Sequence, residues 1–107
     1  VMFNRVVLTK EGEEDLLITP VEFALEQNYP NPFNPATKIN YSISEAGNVE
    51  LKVYDLLGNE VVTLVNEEKS PGKYIAEFNA TTLASGVYMY TLRTNHFIQS
   101  KKMVLIK

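Results

Sequence analysis

The side chains that could perform catalytic chemistry are few and lie far apart in this sequence. The chain has one His and no Cys among its 107 residues, so it offers neither a thiolate nucleophile nor a Cys-based zinc site. His96 lies in a short connection between two apolar runs, with no nucleophile nearby in the sequence, and we interpret it as a solvated turn residue. We therefore predict that the chain is not an enzyme.

Paired carboxylates are the other candidates for a reactive or metal-binding site. Asp55 and Glu60 flank a predicted turn, but a hard cation usually needs more oxygen ligands than two carboxylates provide. Glu67 and Glu68 are adjacent, and adjacent side chains of a strand point to opposite faces. We expect no metal and no cofactor.

Composition excludes two further classes of partner. The net charge is −3, and the ten basic residues are scattered apart from the pair Lys101 and Lys102, so no basic stripe faces a phosphate backbone. No apolar run approaches the roughly 20 residues of a membrane-spanning helix. Because 45% of the residues are hydrophobic, the chain should fold. We expect a folded domain with no nucleic-acid partner and no transmembrane segment.

From residue 21 onward, apolar residues recur at every second position in short runs separated by turn residues, which is typical of an antiparallel all-β fold. One face of each strand is then buried and the other is wet. The predicted strands are centred on residues 23–25, 39–43 and 49–53, followed by Glu60–Val65, Lys73–Phe78, Val87–Arg93 and Phe97–Ile106.

Several connections can also be predicted. Residues 56–59 end in Gly-Asn, which favours a tight hairpin, and residues 94–96 form a second hairpin connection. We expect an exposed turn over Glu67–Gly72. In the last strand the apolar phase changes, which predicts a bulge near Lys101 and Lys102, or burial on both faces.

The segment Asn28–Pro35 interrupts the alternation with three Pro in six residues. Proline lacks an amide donor, so this segment cannot be a central strand. We interpret it as a stiff crossover between sheets, with Tyr29 and Phe33 folded back over an edge of the core. A docking surface is the alternative interpretation.

The first 20 residues differ from the rest. A strand at Arg5–Thr9 is followed by the acidic stretch Glu11–Asp15, which indicates the end of an upstream element and a linker. We place the boundary near Thr19-Pro20, so residues 21–107 form one domain. The chain begins with Val1, and we expect it to be a piece of a longer protein.

Leu83, Gly86 and Tyr88 have the Leu-x-x-Gly-x-Tyr spacing that is similar to the tyrosine corner of Greek-key sandwiches. A buried phenol needs a partner for its hydroxyl, and the backbone just upstream supplies one in such corners. We interpret Tyr88 as structural.

Four stretches, in order, resemble the type IX secretion system C-terminal sorting domain, type A, of Bacteroidetes and related bacteria. The first is Gln-Asn-Tyr-Pro-Asn-Pro-Phe-Asn-Pro at residues 27–35, and the others are residues 53–58, 83–88 and 102–107. The resemblance covers about residues 22–107. Four matches in the same order are far more specific than one.

The resemblance implies a seven-stranded immunoglobulin-like antiparallel β-sandwich with Greek-key features at the C-terminal end of a cargo protein. It also implies recognition by the outer-membrane type IX translocon and a surface sortase. The cargo would be exported through the periplasm to the outer-membrane surface or the extracellular medium, and Lys107 would lie at or near the native C-terminus.

The candidate recognition region is the last hairpin, because a signal must remain readable on any cargo. It exposes Lys101 and Lys102, and at a sheet edge it would offer unpaired backbone groups. Alternatively, these two lysines only protect the edge against aggregation. The predicted recognition residues are Gly86, Tyr88, Lys101, Lys102, Met103 and Lys107, with Tyr88 and Met103 holding the shape.

Two other functions fit an immunoglobulin-like domain. An accessory or carbohydrate-binding module of a secreted hydrolase would need exposed aromatic side chains, for which Tyr29, Phe33 and Tyr54 are the candidates. A structural spacer, such as the sandwich of flagellar hook-capping proteins, is the other alternative.

Overall fold

The computed structural model describes residues 21–107. The strand predicted at Arg5–Thr9 and the linker after it lie outside the described residues. The described strands are β1 (Ala24–Leu25), β2 (Ala36–Ile43), β3 (Gly47–Tyr54), β4 (Glu60–Lys69), β5 (Gly72–Asn79), β6 (Gly86–Arg93) and β7 (Ile98–Leu105).

The seven strands form two antiparallel sheets. The smaller sheet has the order β1-β2-β5 and the larger has the order β4-β3-β6-β7. The predicted all-β class is confirmed, and residues 21–107 contain no helix. The expected turn at Glu67–Gly72 was too long, because β4 continues to Lys69 and the connection shrinks to Ser70-Pro71.

The period-two pattern produces one buried cluster to which both sheets contribute. Alternate residues of each long strand point toward this cluster and their neighbours point toward solvent. The largest fully buried side chains of the cluster are Tyr90, Phe33, Ile39, Ile43, Leu51, Leu92, Met103 and Leu105. Burying such a side chain contributes roughly 1.5–3 kcal/mol.

The bulge predicted for the last strand is wrong, whereas burial on both faces holds in part, because Val104 on the outer face is half-buried. β7 pairs with β6 without interruption from Ile98 to Leu105, so there is no bulge near Lys101 and Lys102. Ile98 is 57% exposed and lies on the outer face. Its apolar character therefore did not indicate which face of β7 is buried.

The register shifts lie on the opposite edge of the same sheet. The pairing of β3 with β4 passes over one residue of β4 at two places, Leu64 and Val61. Each extra residue changes which neighbours face the core, so Val61, Val62, Leu64 and Val65 are all partly buried against it.

The predicted hairpin between β3 and β4 is confirmed. The Asp55 carboxylate accepts hydrogen bonds from the amides of Leu57 and Asn59, both at 2.9 Å. Gly58 has φ +90°, a conformation that side chains with a Cβ rarely adopt. These local bonds fix the turn that sets the β3–β4 register.

The tyrosine corner is confirmed at the start of β6. The Tyr88 hydroxyl donates to the Ala84 carbonyl at 2.7 Å, and the Tyr88 ring is buried in the core. Gly86, two residues earlier, has φ +157°. The corner therefore fixes how the chain leaves the loop and enters β6.

We predict that Tyr88→Phe lowers the free energy of unfolding by about 1 kcal/mol, since it removes this hydrogen bond and leaves the ring in place. Urea denaturation monitored by circular dichroism measures the change. Tyr29→Phe is the matched control, because Tyr29 is 78% exposed. Equal midpoints for the two variants would contradict a stabilising corner.

Candidate functional site

The last strand, β7, lies at an edge of the four-stranded sheet. The Thr94 amide donates to the Phe97 carbonyl at 2.8 Å, so backbone groups of odd-numbered residues in β7 point toward β6. The backbone groups of even-numbered residues, from Ile98 to Ile106, therefore point away from the sheet. An edge of this kind is a ready template for another chain.

The proline-rich segment, residues 27–35, covers the distal half of that edge, and we call it the proline strap. The Phe33 amide donates to the Val104 carbonyl at 2.9 Å, and the Ile106 amide donates to the Phe33 carbonyl at 3.0 Å. The Asn31 side chain accepts from the Val104 amide at 3.0 Å. The strap thus pairs with β7 as a short parallel bridge.

A fourth contact marks where the strap ends along β7. The Gln27 side-chain amide donates to the Lys102 carbonyl at 2.7 Å. Within residues 21–107, no hydrogen bond is made by the outward backbone groups of Ile98 and Ser100, or by the amide of Lys102. The short strand β1 passes close to β7 without pairing with it, and the Phe23 ring stacks on that of Phe97. The edge is therefore closed from the Lys102 carbonyl onward and open before it.

The start of the strap is held from inside the core by Tyr90. The Tyr90 hydroxyl donates to the Glu26 carbonyl at 2.7 Å and accepts from the Asn28 amide at 2.8 Å. Asn28 is itself buried, and its side-chain amide donates to the Thr37 hydroxyl at 3.0 Å. Because Tyr90 belongs to β6 and Thr37 to β2, these bonds tie the strap to both sheets.

Phe33 covers the core as predicted, but Tyr29 does not. Phe33 is 2% exposed, and its ring lies 5.9 Å from that of Phe78 in β5. Tyr29 is 78% exposed, because its backbone bridges to Lys38 of β2 and its ring remains outside. All three X-Pro bonds of the strap are cis.

Lys101 and Lys102 lie on opposite faces of β7. Lys102 is exposed on the outer face, whereas Lys101 is half-buried, so the expectation that both are exposed is wrong for Lys101. Adjacent residues of a strand cannot share a face. Within residues 21–107, neither ammonium group has a carboxylate partner.

The other predicted recognition residues surround the same strand. Gly86 lies opposite Leu105 and Tyr88 lies opposite Met103 in the β6–β7 register. Tyr88 and Met103 are both buried. Lys107 is exposed, its amide donates to the Ser85 hydroxyl at 3.0 Å, and its ammonium group donates to the Thr81 carbonyl.

Two of the side chains first considered for chemistry, Asp55 and His96, have ordinary partners. Hydrogen bonds from the Asn59 backbone, and also from its side chain and from Leu57, lower the pKa of Asp55. His96 is exposed, and its Nδ1 lies 3.6 Å from a carboxylate oxygen of Glu45. Residues 21–107 contain no group of three His, Cys, Asp or Glu suited to a metal ion, and no helix that could span a membrane.

The aromatic side chains considered for carbohydrate binding do not line up on one face. Phe33 is buried, Tyr54 is half-buried near the end of β3, and Tyr29 lines a shallow groove with Lys38 and Glu77. A carbohydrate site usually needs several exposed rings along one surface. The described residues do not provide such a row.

Comparison with known families places the strap and the last strand in one matched region. A family model described as a secretion system C-terminal sorting domain matches residues 27–107. The chain belongs to this family. It is therefore a sorting signal domain of the type IX secretion system, and such domains are in general non-catalytic. No curated protein and no solved structure matches the chain significantly.

The matched region begins at Gln27 and runs to Lys107, and the structure joins its two ends. The strap comes from the start of the sorting domain and β7 from its end, more than 70 residues apart in sequence. The motifs at the two ends of the sorting domain are thus halves of one structural unit.

Sequence reasoning missed the residues that make this connection. Gln27 and Asn31 lie in the first motif and Tyr90 lies in a predicted strand, but the sequence did not indicate their bonds across the fold. The available signal was chemical: the prolines lack amide donors, so the side-chain amides of Gln27 and Asn31 were candidates to supplement the backbone bonds of the strap. Their partners could not be identified before the sheet order was known.

We predict that Phe33→Ala lowers the free energy of unfolding by about 3–5 kcal/mol, because it empties a fully buried site shared by both sheets. Tyr29→Ala, in the same strap, should cost less than about 0.5 kcal/mol because that ring is exposed. Thermal and urea denaturation of both variants test this. Similar losses for both would show that Phe33 does not anchor the strap.

The Tyr90 hydroxyl predicts a specific loss of stability in alkali. Burial raises the pKa of Tyr90 to about 12 from the ordinary 10.0, and the Asn28 amide offsets this only in part. The folded state thus holds a proton that the unfolded state releases, so the stabilisation is complete below pH 10 and is lost as pH rises toward 12. The linked loss is about 2 kcal/mol.

Urea denaturation across that alkaline range should therefore show a smaller pH-dependent loss in Tyr90→Phe than in the unaltered chain. A residual loss remains, because burial also raises the pKa of Tyr41. If the free energy of unfolding fell equally with pH in Tyr90→Phe and in the unaltered chain, the Tyr90 hydroxyl would not be the protonated, hydrogen-bonded group described here.

Proposed function

We propose that the two sheets form an immunoglobulin-like sandwich whose last hairpin, clamped by the proline strap, is the surface that the export machinery reads. The buried cluster shared by both sheets supports this packing. The strand order differs from that of a constant-type immunoglobulin domain only in the sheet to which the fourth strand belongs.

One observation carries the proposed recognition surface: the strap closes half of the β7 edge and leaves the other half open. A signal must be accessible on every cargo and must still fold as a unit. An edge strand that is anchored at one end and open at the other meets both requirements.

The proposed partners are the outer-membrane translocon and, after passage, a surface sortase. The cargo crosses the periplasm attached to this domain and reaches the outer-membrane surface or the medium. The domain contributes binding and no chemistry, in keeping with the local structural partners of Asp55, Glu60 and His96.

The predicted recognition residues divide into two roles under this proposal. Tyr88, Met103 and Gly86 position the hairpin, because two of them are buried and the third fixes the entry to β6. Lys101 and Lys102 contact the partner. Lys107 secures the end of β7 to the loop before β6 through its bonds to Ser85 and Thr81.

Transport of a reporter tests the proposal. The 107-residue chain, fused behind a periplasmic reporter in a strain that carries the type IX apparatus, should deliver the reporter to the cell surface. A fusion that ends before β7 should leave the reporter in the periplasm. Surface proteolysis and fractionation measure the distribution.

Two point variants make the test independent of folding. Lys102→Glu alters an exposed side chain and should reduce surface delivery, whereas Lys38→Glu alters an exposed lysine on the other sheet and should not. Surface delivery of the truncated fusion, or equal loss for both lysine variants, would contradict the proposed recognition surface.

A further inference from the structure

The open half of the β7 edge belongs to the proposed recognition surface and presents backbone groups that make no hydrogen bond within residues 21–107. The outward groups are the amides and carbonyls of Ile98 and Ser100 and the amide of Lys102, and none has a partner within residues 21–107. Exposed backbone in this alternating arrangement is what an incoming strand pairs with.

Charge around this edge indicates the chemistry of that strand. Lys102 projects from the outer face and Lys101 from the inner face, and neither has a carboxylate partner among residues 21–107. An added strand would place its side chains directly beside them, within about 5 Å. Carboxylates at alternate positions of the added strand share one face. Whichever face that is, they would lie beside one of the two lysines.

We propose that residues 98–102 of β7 bind an extended acidic segment of the export machinery by strand addition. This inference rests on the proposed function and specifies how the last hairpin is read. The main-chain bonds supply affinity that is independent of the cargo, and the two lysines select carboxylates over other side chains.

The structure disfavours a second copy of the chain as the occupant. Pairing β7 with β7 of another copy would bring two more lysines to the same edge, and like charges across a strand pair are destabilising. The acidic strand β4 is also a poor partner, since Glu60 and Glu67 already pair with Lys52 and Lys69 in the same chain.

Ser100 permits a variant that removes a single outward amide donor of the β7 edge. Its amide points away from β6, so Ser100→Pro deletes an outward donor and leaves the β6–β7 ladder intact, a position where edge strands accept proline. Its hydroxyl lies 2.7 Å from that of Thr91. Ser100→Ala loses the same hydroxyl contact but keeps the amide, so it is the matched control.

The binding test uses the full chain, labelled with nitrogen-15, and two blocked peptides that alternate valine with glutamate or valine with lysine. The glutamate peptide should shift the amide signals of Ile98, Ser100 and Lys102. It should bind about tenfold more weakly to Ser100→Pro than to Ser100→Ala, as expected for loss of one interstrand bond. Lys102→Glu should weaken binding of the glutamate peptide and strengthen binding of the lysine peptide.

Several results would overturn the proposal. These are equal binding to both serine variants, equal binding of both peptides to the unaltered chain, or shifts that lie elsewhere. Concentration-dependent self-association that protects the same amides would identify a second copy as the occupant and would also overturn it. If Ser100→Pro disturbs amide signals beyond β7, the peptide preference of Lys102→Glu decides whether the proposal stands.

Export of the reporter fusion separates this inference from the proposed function. Ser100→Pro should leave the reporter in the periplasm and Ser100→Ala should not. Surface delivery of both variants, with retention of the truncated fusion, would refute strand addition and leave the sorting function intact. Failure of the unaltered fusion would refute the proposed function, while the peptide titration still judges the binding mode.

Discussion

The pairing of the proline strap with the edge of β7 is the contact on which the rest of the structure depends. It joins segments from the two ends of the sorting domain through Phe33, Val104 and Ile106. The same residue, Phe33, contributes its ring to the core beside β5. Edge protection and core closure are therefore achieved by one side chain and its own backbone.

This arrangement reconciles two requirements that conflict in a sorting signal. A free edge strand invites aggregation, and a fully covered one cannot be read. The strap closes the distal half of the edge, where an unprotected strand would also expose Leu105 and the core. The proximal half stays open and carries Lys102, a charge that discourages unselective pairing and favours an acidic partner.

The sequence predicted the elements far better than the contacts between them. Alternation located every long strand, and the Leu83–Tyr88 spacing identified the corner, because both signals are local. The phase of β7 was misjudged because Ile98 is apolar yet exposed. Tyr29 and Phe33 have similar aromatic character, and only the sheet order decides that one ring is outside and the other inside. The role of the strap was hidden for the same reason, since its partners are remote in sequence.

Hydrogen exchange of the β7 amides tests the central claim most directly. The strap bonds the amides of Val104 and Ile106, so these should exchange slowly, close to the rate set by global unfolding. The amides of Ile98, Ser100 and Lys102 should exchange much faster in the same strand. Fast exchange along all outward positions would show that the strap does not hold the edge, and slow exchange along all of them would show that no open half exists.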